Sequence, residues 1–265
     1  MPRLAVLGHP VSHSRSPAMH NAAFALLGLA EEWSYEAIDV APDEFEGRVR
    51  AMAGEGFAGA NVTVPHKGAA LALADTVSET AREIGAANTL SFAEGEVRAE
   101  NTDAQGLLDA LSDSPRGVRT LVLGAGGAAR AVVWALTREG AEVDVWNRTE
   151  LRSVNLCEEL GGRPAGAAPD QGAYGLIVNS TAVGLRSEDP FSELPLSRDG
   201  FTPGQTVVDM VYGDERTPLL AAAGEGGAQI VDGVEVLVRQ GGLSFQIWTG
   251  REAPLDAMRA AARGS

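Results

Sequence analysis

The chain has 265 residues, a length at which two domains are expected because a single core rarely grows beyond about 250–300 residues. Its 45% hydrophobic and 22% charged residues are typical of a globular protein, and no apolar run approaches the ~20 residues of a membrane span. A net charge of −15 argues against a general nucleic-acid binder, which needs a basic face.

The first part of the chain alternates strand-like and helical runs. RLAVLG predicts a strand and a helix follows from about Pro17; WSYEAIDV predicts a second strand, with a helix from about Pro42; GANVTVP then predicts a third strand, followed by helix. NTLSFAEGEVRAEN predicts a hairpin that turns at Glu94 and Gly95, and a helix starts near Asp103. This alternation predicts an α/β fold.

The pattern restarts in the second part of the chain. RTLVLGAGGAARAVVWALTREGAEVDVWNRT predicts strand, glycine-rich turn, helix and strand, and later strands are expected in GLIVNST, TVVDMVY and GAQIVDG. Two final helical stretches, VEVLVRQGGLSFQIWTG and PLDAMRAAARG, are expected to return to the first domain. We therefore expect one domain from residues 1–103 plus 233–265 and a second from residues 104–232.

The glycine-rich turn GAGGAA fits the G-x-G-x-x-G/A fingerprint of dinucleotide binding, with a strand before it and a helix after it. Gly124 would permit the tight turn, Gly126 would let the backbone approach a pyrophosphate, and Ala129 would keep helix and strand close. A plain packing turn is the alternative. The residues expected to bind the cofactor here are Gly124, Ala125, Gly126, Gly127 and Ala128.

The end of the second strand of this domain favours NADP over NAD. Asp144 stands at the nominal distance of the acid that binds the ribose of NAD, but it falls inside the strand and we discount it. Asn147, Arg148, Thr149 and Arg152 provide two guanidinium groups and two short polar side chains, which suit a phosphate monoester. The alternative, two solvated arginines, is reasonable for Arg152 alone.

Lys67, in the stretch NVTVPHK, is the only lysine among the 21 Lys and Arg residues. A partly buried lysine can give up and regain a proton, whereas arginine stays protonated. Lys67 is therefore a candidate catalytic residue. The alternative is an arginine-biased composition that left one lysine on a solvated face.

The stretch SHSRSPAMHNAAF predicts a helix N-terminus, with Ser16 at the N-cap and Pro17 at the first helical position. Unpaired backbone N–H groups begin there, so Ser14, Arg15 and Ser16 together indicate a site for a small anion. The alternative for Ser16 is a simple cap.

We expect no metal, because the histidines have no metal-binding motif and no cysteine partner. Cys157 stands alone, which excludes an intrachain disulfide. The start, MPRLAVLGHP, lacks the apolar core of a signal peptide, so we expect a cytoplasmic protein. The four histidines are His9, His13, His20 and His66.

Seven blocks, in order across nearly the whole chain, resemble shikimate dehydrogenase: GHPVSHSRSPAMHN, GANVTVPHK, GAANTL, NTDAQG, GAGGAAR, NRT and GVEVLVRQG. The resemblance implies an N-terminal α/β substrate domain and a Rossmann-like NADP-binding domain with a deep cleft between them. It implies reversible NADPH-dependent reduction of 3-dehydroshikimate to shikimate, on the route to chorismate and the aromatic amino acids. Its ligands would be small molecules, with no nucleic acid and no membrane, and it is compatible with a homodimer.

The same resemblance implies roles for individual residues. Lys67 and Asp103 would form the catalytic pair; which of them is the formal acid is left open. The substrate carboxylate would be held by Ser14 and Ser16 with help from Tyr212. The ring hydroxyls would be bound by Thr63, Asn88 and Gln240, with support from Asn61.

Three other interpretations remain open. A quinate/shikimate dehydrogenase would share the substrate motifs but use NAD more readily. A non-catalytic sensor of NADP and a small acid would not need a proton-transfer pair. A folate or amino-acid dehydrogenase of similar layout does not account for the paired serines and the NTD block.

Overall fold

In the computed structural model, which describes residues 2–185 and 189–264, the chain folds into two units. The first unit combines two segments, Met1–Gly106 and Leu237–Ser265. The second unit is continuous, Leu107–Val236. Both are built from alternating strands and helices, so the predicted α/β class is confirmed.

The first unit contains a six-stranded mixed sheet in the order β2-β1-β3-β5-β6-β4. β1 pairs with β2 and β3 in parallel, whereas β5 is antiparallel to both β3 and β6. Its strands are β1 (Arg3–Gly8), β2 (Ser34–Asp39), β3 (Phe57–Val62), β4 (Thr76–Val77), β5 (Thr89–Ala93) and β6 (Glu96–Glu100). Its helices are α1 (Ser16–Leu26), α2 (Phe45–Gly54), α3 (Lys67–Leu73), α4 (Glu79–Ile84) and the first turn of α5 (Asp103–Ala110), with most of α9 (Gly233–Thr249) and α10 (Leu255–Gly264).

The predicted hairpin is present between β5 and β6. Its two turn residues, Glu94 and Gly95, have φ values of 54° and 82°. Positive φ at both central residues is the backbone of a type I′ turn, whose twist matches that of the two strands. The turn fixes the register in which Thr89 pairs with Glu100.

Two predicted helix starts need correction. Helix α1 begins at Ser16, with Arg15 at the N-cap position, so the expected N-cap role of Ser16 is wrong by one residue. Ser14 Oγ accepts a hydrogen bond from the Ser16 N–H at 3.3 Å, and this contact favours a helix that begins at Ser16. Helix α2 begins at Phe45, later than Pro42, because Glu44 N–H first closes a turn onto the Ala41 carbonyl at 3.0 Å.

One core of the first unit lies between the sheet and α2. Leu7 and Val62, on neighbouring strands, are buried together with Phe45, Val49 and Met52 of the helix. Burial of each such side chain stabilises the fold by about 1.5–3 kcal/mol. This core fixes the positions of the ends of β1 and β3, and Lys67 comes shortly after β3 in the chain.

The second unit contains a six-stranded parallel sheet in the order β12-β11-β10-β7-β8-β9, the strand order of doubly wound dinucleotide-binding domains. The register aligns Leu123 with Asn179 and Asn179 with Asp209, so β7, β10 and β11 end at one edge. Ligands of such sheets bind at the carboxyl ends of the strands. The strands are β7 (Arg119–Leu123), β8 (Glu142–Trp146), β9 (Arg163–Pro164), β10 (Leu176–Asn179), β11 (Thr206–Asp209) and β12 (Gln229–Asp232). The helices are α6 (Gly127–Arg138), α7 (Glu150–Leu160) and α8 (Pro218–Glu225), and the described residues of this unit also form three short 3₁₀ turns.

Among the described residues, none of the helices is both long enough and apolar enough to cross a lipid bilayer.

Candidate active site

A buried ion pair joins Lys67 and Asp103 in the first unit. Lys67 Nζ donates a hydrogen bond to Asp103 Oδ2 at 2.5 Å, and the two residues are 9% and 6% exposed. Removing either partner would leave a buried charge without compensation, which costs about 3–5 kcal/mol. The sequence prediction that these two residues lie together is consistent with this contact.

The backbone fixes where the two side chains start. Lys67 opens α3, and its carbonyl accepts a hydrogen bond from Ala87 N–H at 2.9 Å. Asp103 opens α5, where the helix dipole favours a carboxylate. The side chain of Asn101 accepts from Ala104 N–H at 3.2 Å and caps the same helix.

Asn88 is the second partner of the Asp103 carboxylate. Its Nδ2 donates to Asp103 Oδ1 at 2.9 Å, so each oxygen of the carboxylate has a donor. Thr102 N–H donates to Asn88 Oδ1 at 2.7 Å, and because a backbone N–H can only donate, this contact fixes which end of the amide faces Asp103. Asp103 is therefore held from two sides.

Gln240 brings helix α9 into the same group. Its Oε1 accepts from Asn88 Nδ2 at 3.1 Å, and its Nε2 donates to the Leu237 carbonyl at 2.8 Å. One turn later on α9, Ser244 is 0% exposed and its hydroxyl lies 2.9 Å from Thr89 Oγ1.

Asn61 lies deeper, at the end of β3. Its Nδ2 donates to Ser244 Oγ at 2.9 Å and to the Asn88 carbonyl at 3.2 Å. Its Oδ1 accepts from the Tyr35 hydroxyl at 2.8 Å. Both ends of the Asn61 amide are therefore engaged by protein groups.

The remaining predicted substrate residues lie on other parts of the fold. Ser14 and Ser16 lie at the start of α1, half-buried and buried respectively. Thr63 follows β3, where its methyl group lies 2.5 Å from where a Cβ on Gly8 would be, so only glycine fits there. Tyr212 belongs to the second unit, after β11.

The glycine-rich turn of the second unit has the geometry that the fingerprint predicts. Gly124 has φ +112°, and a Cβ there would lie 3.0 Å from Ser180 Oγ. Gly126 is the N-cap of α6, and a Cβ on it would meet no atom within 4 Å, so the space above its backbone is open. Ala129 is fully buried against the strand. Ala125, Gly127 and Ala128 complete the turn and the start of the helix.

The polar residues after β8 surround the N-terminus of α7. Asn147 Nδ2 donates to the Thr149 carbonyl at 2.9 Å, and Thr149 is the N-cap. The side chain of Arg148 is 83% exposed, with one long contact of 3.4 Å to Glu193. Arg152 is also exposed, so both guanidinium groups are accessible to a ligand.

The carboxylate of Asp144 accepts hydrogen bonds from other side chains of the second unit. Burial by itself raises the pKa of its carboxyl, but hydrogen bonds from Arg163, Arg119 and Tyr174 outweigh this and hold that pKa below its ordinary value. Asp144 is 4% exposed, which agrees with its being discounted as a ribose ligand.

Comparison with known proteins identifies the family. The shikimate dehydrogenase substrate binding domain matches residues 6–90, and the shikimate 5'-dehydrogenase C-terminal domain matches residues 233–263. The NADP(+)-dependent shikimate dehydrogenase of Methanopyrus kandleri is 44% identical, over 97% of this chain and 93% of its own. The chain belongs to the shikimate dehydrogenase family.

Solved members of the shikimate dehydrogenase family have the same fold. Shikimate 5-dehydrogenase of Thermus thermophilus, solved with NADP(H) and shikimate, superposes with a TM-score of 0.88 at 44% identity, covering 100% of this chain and 99% of that one. The Aquifex aeolicus shikimate dehydrogenase gives a TM-score of 0.92 at 37% identity, covering 99% of this chain and 98% of that one. The resemblance stated from the sequence is thereby confirmed.

Several buried residues of this shikimate dehydrogenase family member escaped the sequence analysis. Thr89 follows Asn88 in NTL and Thr102 precedes Asp103 in NTD, so both threonines adjoin residues that the sequence had indicated. Ser244 could have been found from helical periodicity, because it lies four residues after Gln240 on one face of α9. Tyr35 gave no signal beyond its place in an apolar strand.

The histidines are dispersed. His66 is buried, stacks on Phe45 with ring centroids 4.3 Å apart, and contacts the Val40 carbonyl through Nε2 at 2.7 Å. His20 stacks on Tyr35 at 4.3 Å, and burial lowers its pKa to about 3, so it is neutral. No group of three or more His, Cys, Asp or Glu within the described part of the chain is arranged to hold a metal ion.

Proposed function

We propose that this protein is an NADP-dependent shikimate dehydrogenase, which oxidises shikimate reversibly to 3-dehydroshikimate in the synthesis of aromatic amino-acid precursors. The observation that carries the proposal is the buried pair formed by the only lysine of the chain, Lys67, and Asp103, in a chain that belongs to this family. A proton-transfer pair is needed by a dehydrogenase and not by a sensor.

The pair accounts for proton transfer at the alcohol or carbonyl oxygen of the substrate. In the reducing direction an alkoxide develops on that oxygen, and the Lys67 ammonium stabilises it and donates a proton to it. Asp103 keeps Nζ oriented through the 2.5 Å contact and takes part in the proton exchange. Because an arginine stays protonated, it could not replace Lys67 in this role.

Substrate recognition is assigned by the family resemblance, and the contacts of Asn61, Asn88 and Gln240 beside Asp103 support it for these three residues. We assign the carboxylate to Ser14 and Ser16, at the N-terminus of α1, with Tyr212 as a further partner. The ring hydroxyls are assigned to Thr63, Asn88 and Gln240. Asn61 supports them through its contacts with the Asn88 carbonyl and Ser244.

The second unit fits NADP. The open space above Gly126, the left-handed backbone at Gly124 and the start of α6 form a cradle for a pyrophosphate, which Ala125, Gly127 and Ala128 complete. Arg148 and Arg152, with Asn147 and Thr149, would hold the 2′-phosphate. When bound, the cofactor supplies the hydride acceptor or donor.

The remaining parts of the proposal rest on the sequence pattern and on the family resemblance. We assign substrate binding to a domain of residues 1–103 plus 233–265 and NADP binding to residues 104–232. A cytoplasmic location and a homodimer go with this assignment, and light scattering after size-exclusion chromatography tests the dimer.

The experiment is the initial rate of nicotinamide reduction with shikimate, with NADP and NAD as acceptors in parallel. We expect a rate with NADP far above that with NAD. Equal or faster reduction of NAD, accompanied by turnover of quinate, would replace the proposal by the quinate/shikimate dehydrogenase. Folded protein that binds NADP but turns over neither substrate would replace it by the sensor.

A further inference from the structure

Three buried hydroxyl groups lie beside the amide of Asn88, and the Thr102 hydroxyl also accepts from Asn88 Nδ2 at 2.9 Å. We call them the hydroxyl cluster: Thr89, Thr102 and Ser244, which are 0%, 4% and 0% exposed. Thr89 Oγ1 lies 3.1 Å from Thr102 Oγ1 and 2.9 Å from Ser244 Oγ. Thr102 Oγ1 and Ser244 Oγ also lie 3.2 Å apart, so the three hydroxyls form a closed triangle.

Thr89 also contacts the two amides that flank the cluster. Thr89 Oγ1 donates to Asn88 Oδ1 at 3.1 Å, and it accepts from Asn61 Nδ2 at 3.2 Å. The direction of the Asn61 amide is fixed, because the Asn88 carbonyl can only accept and lies 3.2 Å from its Nδ2. The Asn61 amide therefore presents a donor to Thr89 Oγ1, and the Thr89 proton has Asn88 Oδ1 as an acceptor alongside the hydroxyls of Ser244 and Thr102.

The amide of Asn88 connects the hydroxyl cluster to the Lys67–Asp103 ion pair. Its oxygen accepts from Thr89 and Thr102, and its Nδ2 is thereby aimed at Asp103 Oδ1 at 2.9 Å. Asp103 Oδ2 in turn receives Lys67 Nζ. The chain of contacts from Thr89 to Lys67 thus passes through only two side chains, Asn88 and Asp103.

We propose that Thr89 is a positioning residue for the Lys67–Asp103 pair, acting through the amide of Asn88. This inference rests on the proposed function only for its kinetic consequence, since the geometry of the pair can be observed without turnover. Loss of the Thr89 hydroxyl removes one of the donors that hold Asn88 Oδ1 and leaves Ser244 and Asn61 facing a methyl group.

A purely structural role for Thr89 is the competing interpretation, and it predicts a different pattern. A buried hydroxyl that matters only for folding would lower the melting temperature and leave the environment of Lys67 unchanged. A positioning role changes that environment in protein that is still folded. The fact that Lys67 is the only lysine makes this measurable, because ¹³C,¹⁵N-lysine labelling gives a single set of side-chain NMR signals, all from Lys67.

The experiment compares the labelled wild type with Thr89→Val, which keeps the branched shape and removes the hydroxyl. We expect the Lys67 Cε–Hε signal to move in Thr89→Val and kcat for shikimate oxidation to fall about 10-fold. Thr89→Ser keeps the hydroxyl and should restore both the signal and most of kcat.

Thr120→Val is the matched control, since Thr120 is also a fully buried strand threonine but its hydroxyl donates to the Val118 carbonyl in the second unit. It should change stability by a similar amount and leave the lysine signal in place. If Thr89→Val fails to fold, Ser244→Ala removes the neighbouring hydroxyl and should move the signal to a smaller degree.

An unmoved lysine signal in folded Thr89→Val, or in folded Ser244→Ala if the first variant fails, overturns the inference. A wild type that does not oxidise shikimate, but whose lysine signal responds to these variants, would overturn the proposed function and leave the positioning role of Thr89 in place.

Discussion

The surroundings of Lys67 and the glycine-rich turn with its neighbours are built in different ways. Lys67 and Asp103 are buried and joined to side chains that are far apart in the sequence; Asn61 and Ser244, for example, are 183 residues apart. The turn at Gly124 and Gly126 uses backbone conformation, and its accompanying Arg148 is exposed. Proton transfer needs fixed side chains in a dry site, whereas a phosphate can be held by local backbone and mobile cations.

This difference predicts how each region responds to substitution. In the first region a change at one side chain should disturb others, because buried polar networks are strongly coupled. In the second region changes at exposed positions should act on cofactor binding alone, with effects that add. Three of the four predictions below test this contrast, and Asp209→Asn tests a buried carboxyl elsewhere in the second unit; they run from the largest expected effect to the smallest.

Lys67→Arg should give the largest effect. It keeps the positive charge but removes the group that can donate a proton, so we expect kcat to fall about 1,000-fold. NADP affinity, measured by calorimetry, should change less than about 3-fold, because the substitution lies in the first unit. Near-normal turnover by Lys67→Arg would contradict the role assigned to the lysine.

Asp209→Asn should change the pH dependence of stability. Burial raises the pKa of Asp209 to about 6, even though Thr217 Oγ1 donates to its Oδ2. The folded state therefore holds the proton more tightly than the unfolded chain. As the pH is raised from about 4 to about 6, the free energy of unfolding of the wild type should decrease by up to about 3 kcal/mol.

In Asp209→Asn that part of the pH dependence should disappear. The measurement is urea unfolding of both proteins at several pH values, and the difference between them removes the contribution of all other carboxyl groups. A difference that is constant from pH 4 to pH 6 would show that Asp209 has the same proton affinity in both states.

Gly126→Ala and Gly124→Ala should affect different properties, NADP binding in the first variant and stability in the second. A Cβ on Gly126 stands in open space, so the variant should fold as the wild type does but bind NADP about 100-fold more weakly. Gly124 has φ +112°, so alanine there should lower stability by about 1–3 kcal/mol. Thermal melts with and without NADP separate the two effects; unchanged NADP binding by Gly126→Ala would argue against the cradle.

Arg148→Ala and Arg152→Ala should give the smallest effects. Each removes a charged donor for the 2′-phosphate, so KM for NADP should rise about 10- to 50-fold while KM for NAD and kcat stay nearly constant. Since both side chains are exposed, the melting temperature should not change. An equal rise of KM for both cofactors would place these arginines elsewhere on the cofactor.

The sequence predicted the second region better than the first, for a physical reason. A strand, a glycine-rich turn and a helix are local features, and the positive φ of Gly124 follows from residue type and context. Lys67 and Asp103 could be paired only through the family resemblance, because 36 residues separate them. The hydroxyl cluster was missed because Thr89 and Ser244 meet only after β5 and α9 have packed.

Element boundaries were less predictable than elements. The hairpin at Glu94 and Gly95 was correct because its turn residues determine the backbone. The start of α1 was placed one residue too late, since it depends on the contact of Ser14 with the backbone of Ser16.

The division of the first unit between two segments sets an order of events during synthesis. The second unit, Leu107–Val236, is continuous and can fold once it has left the ribosome, whereas Gln240 and Ser244 are translated after it. A nascent chain made as far as Val236 already contains Lys67 and Asp103 but lacks the residues of α9 that order Asn88. Catalytic competence should therefore be acquired last, when the final helices are released, and unfinished chains should be inactive even where their nucleotide-binding unit is already native.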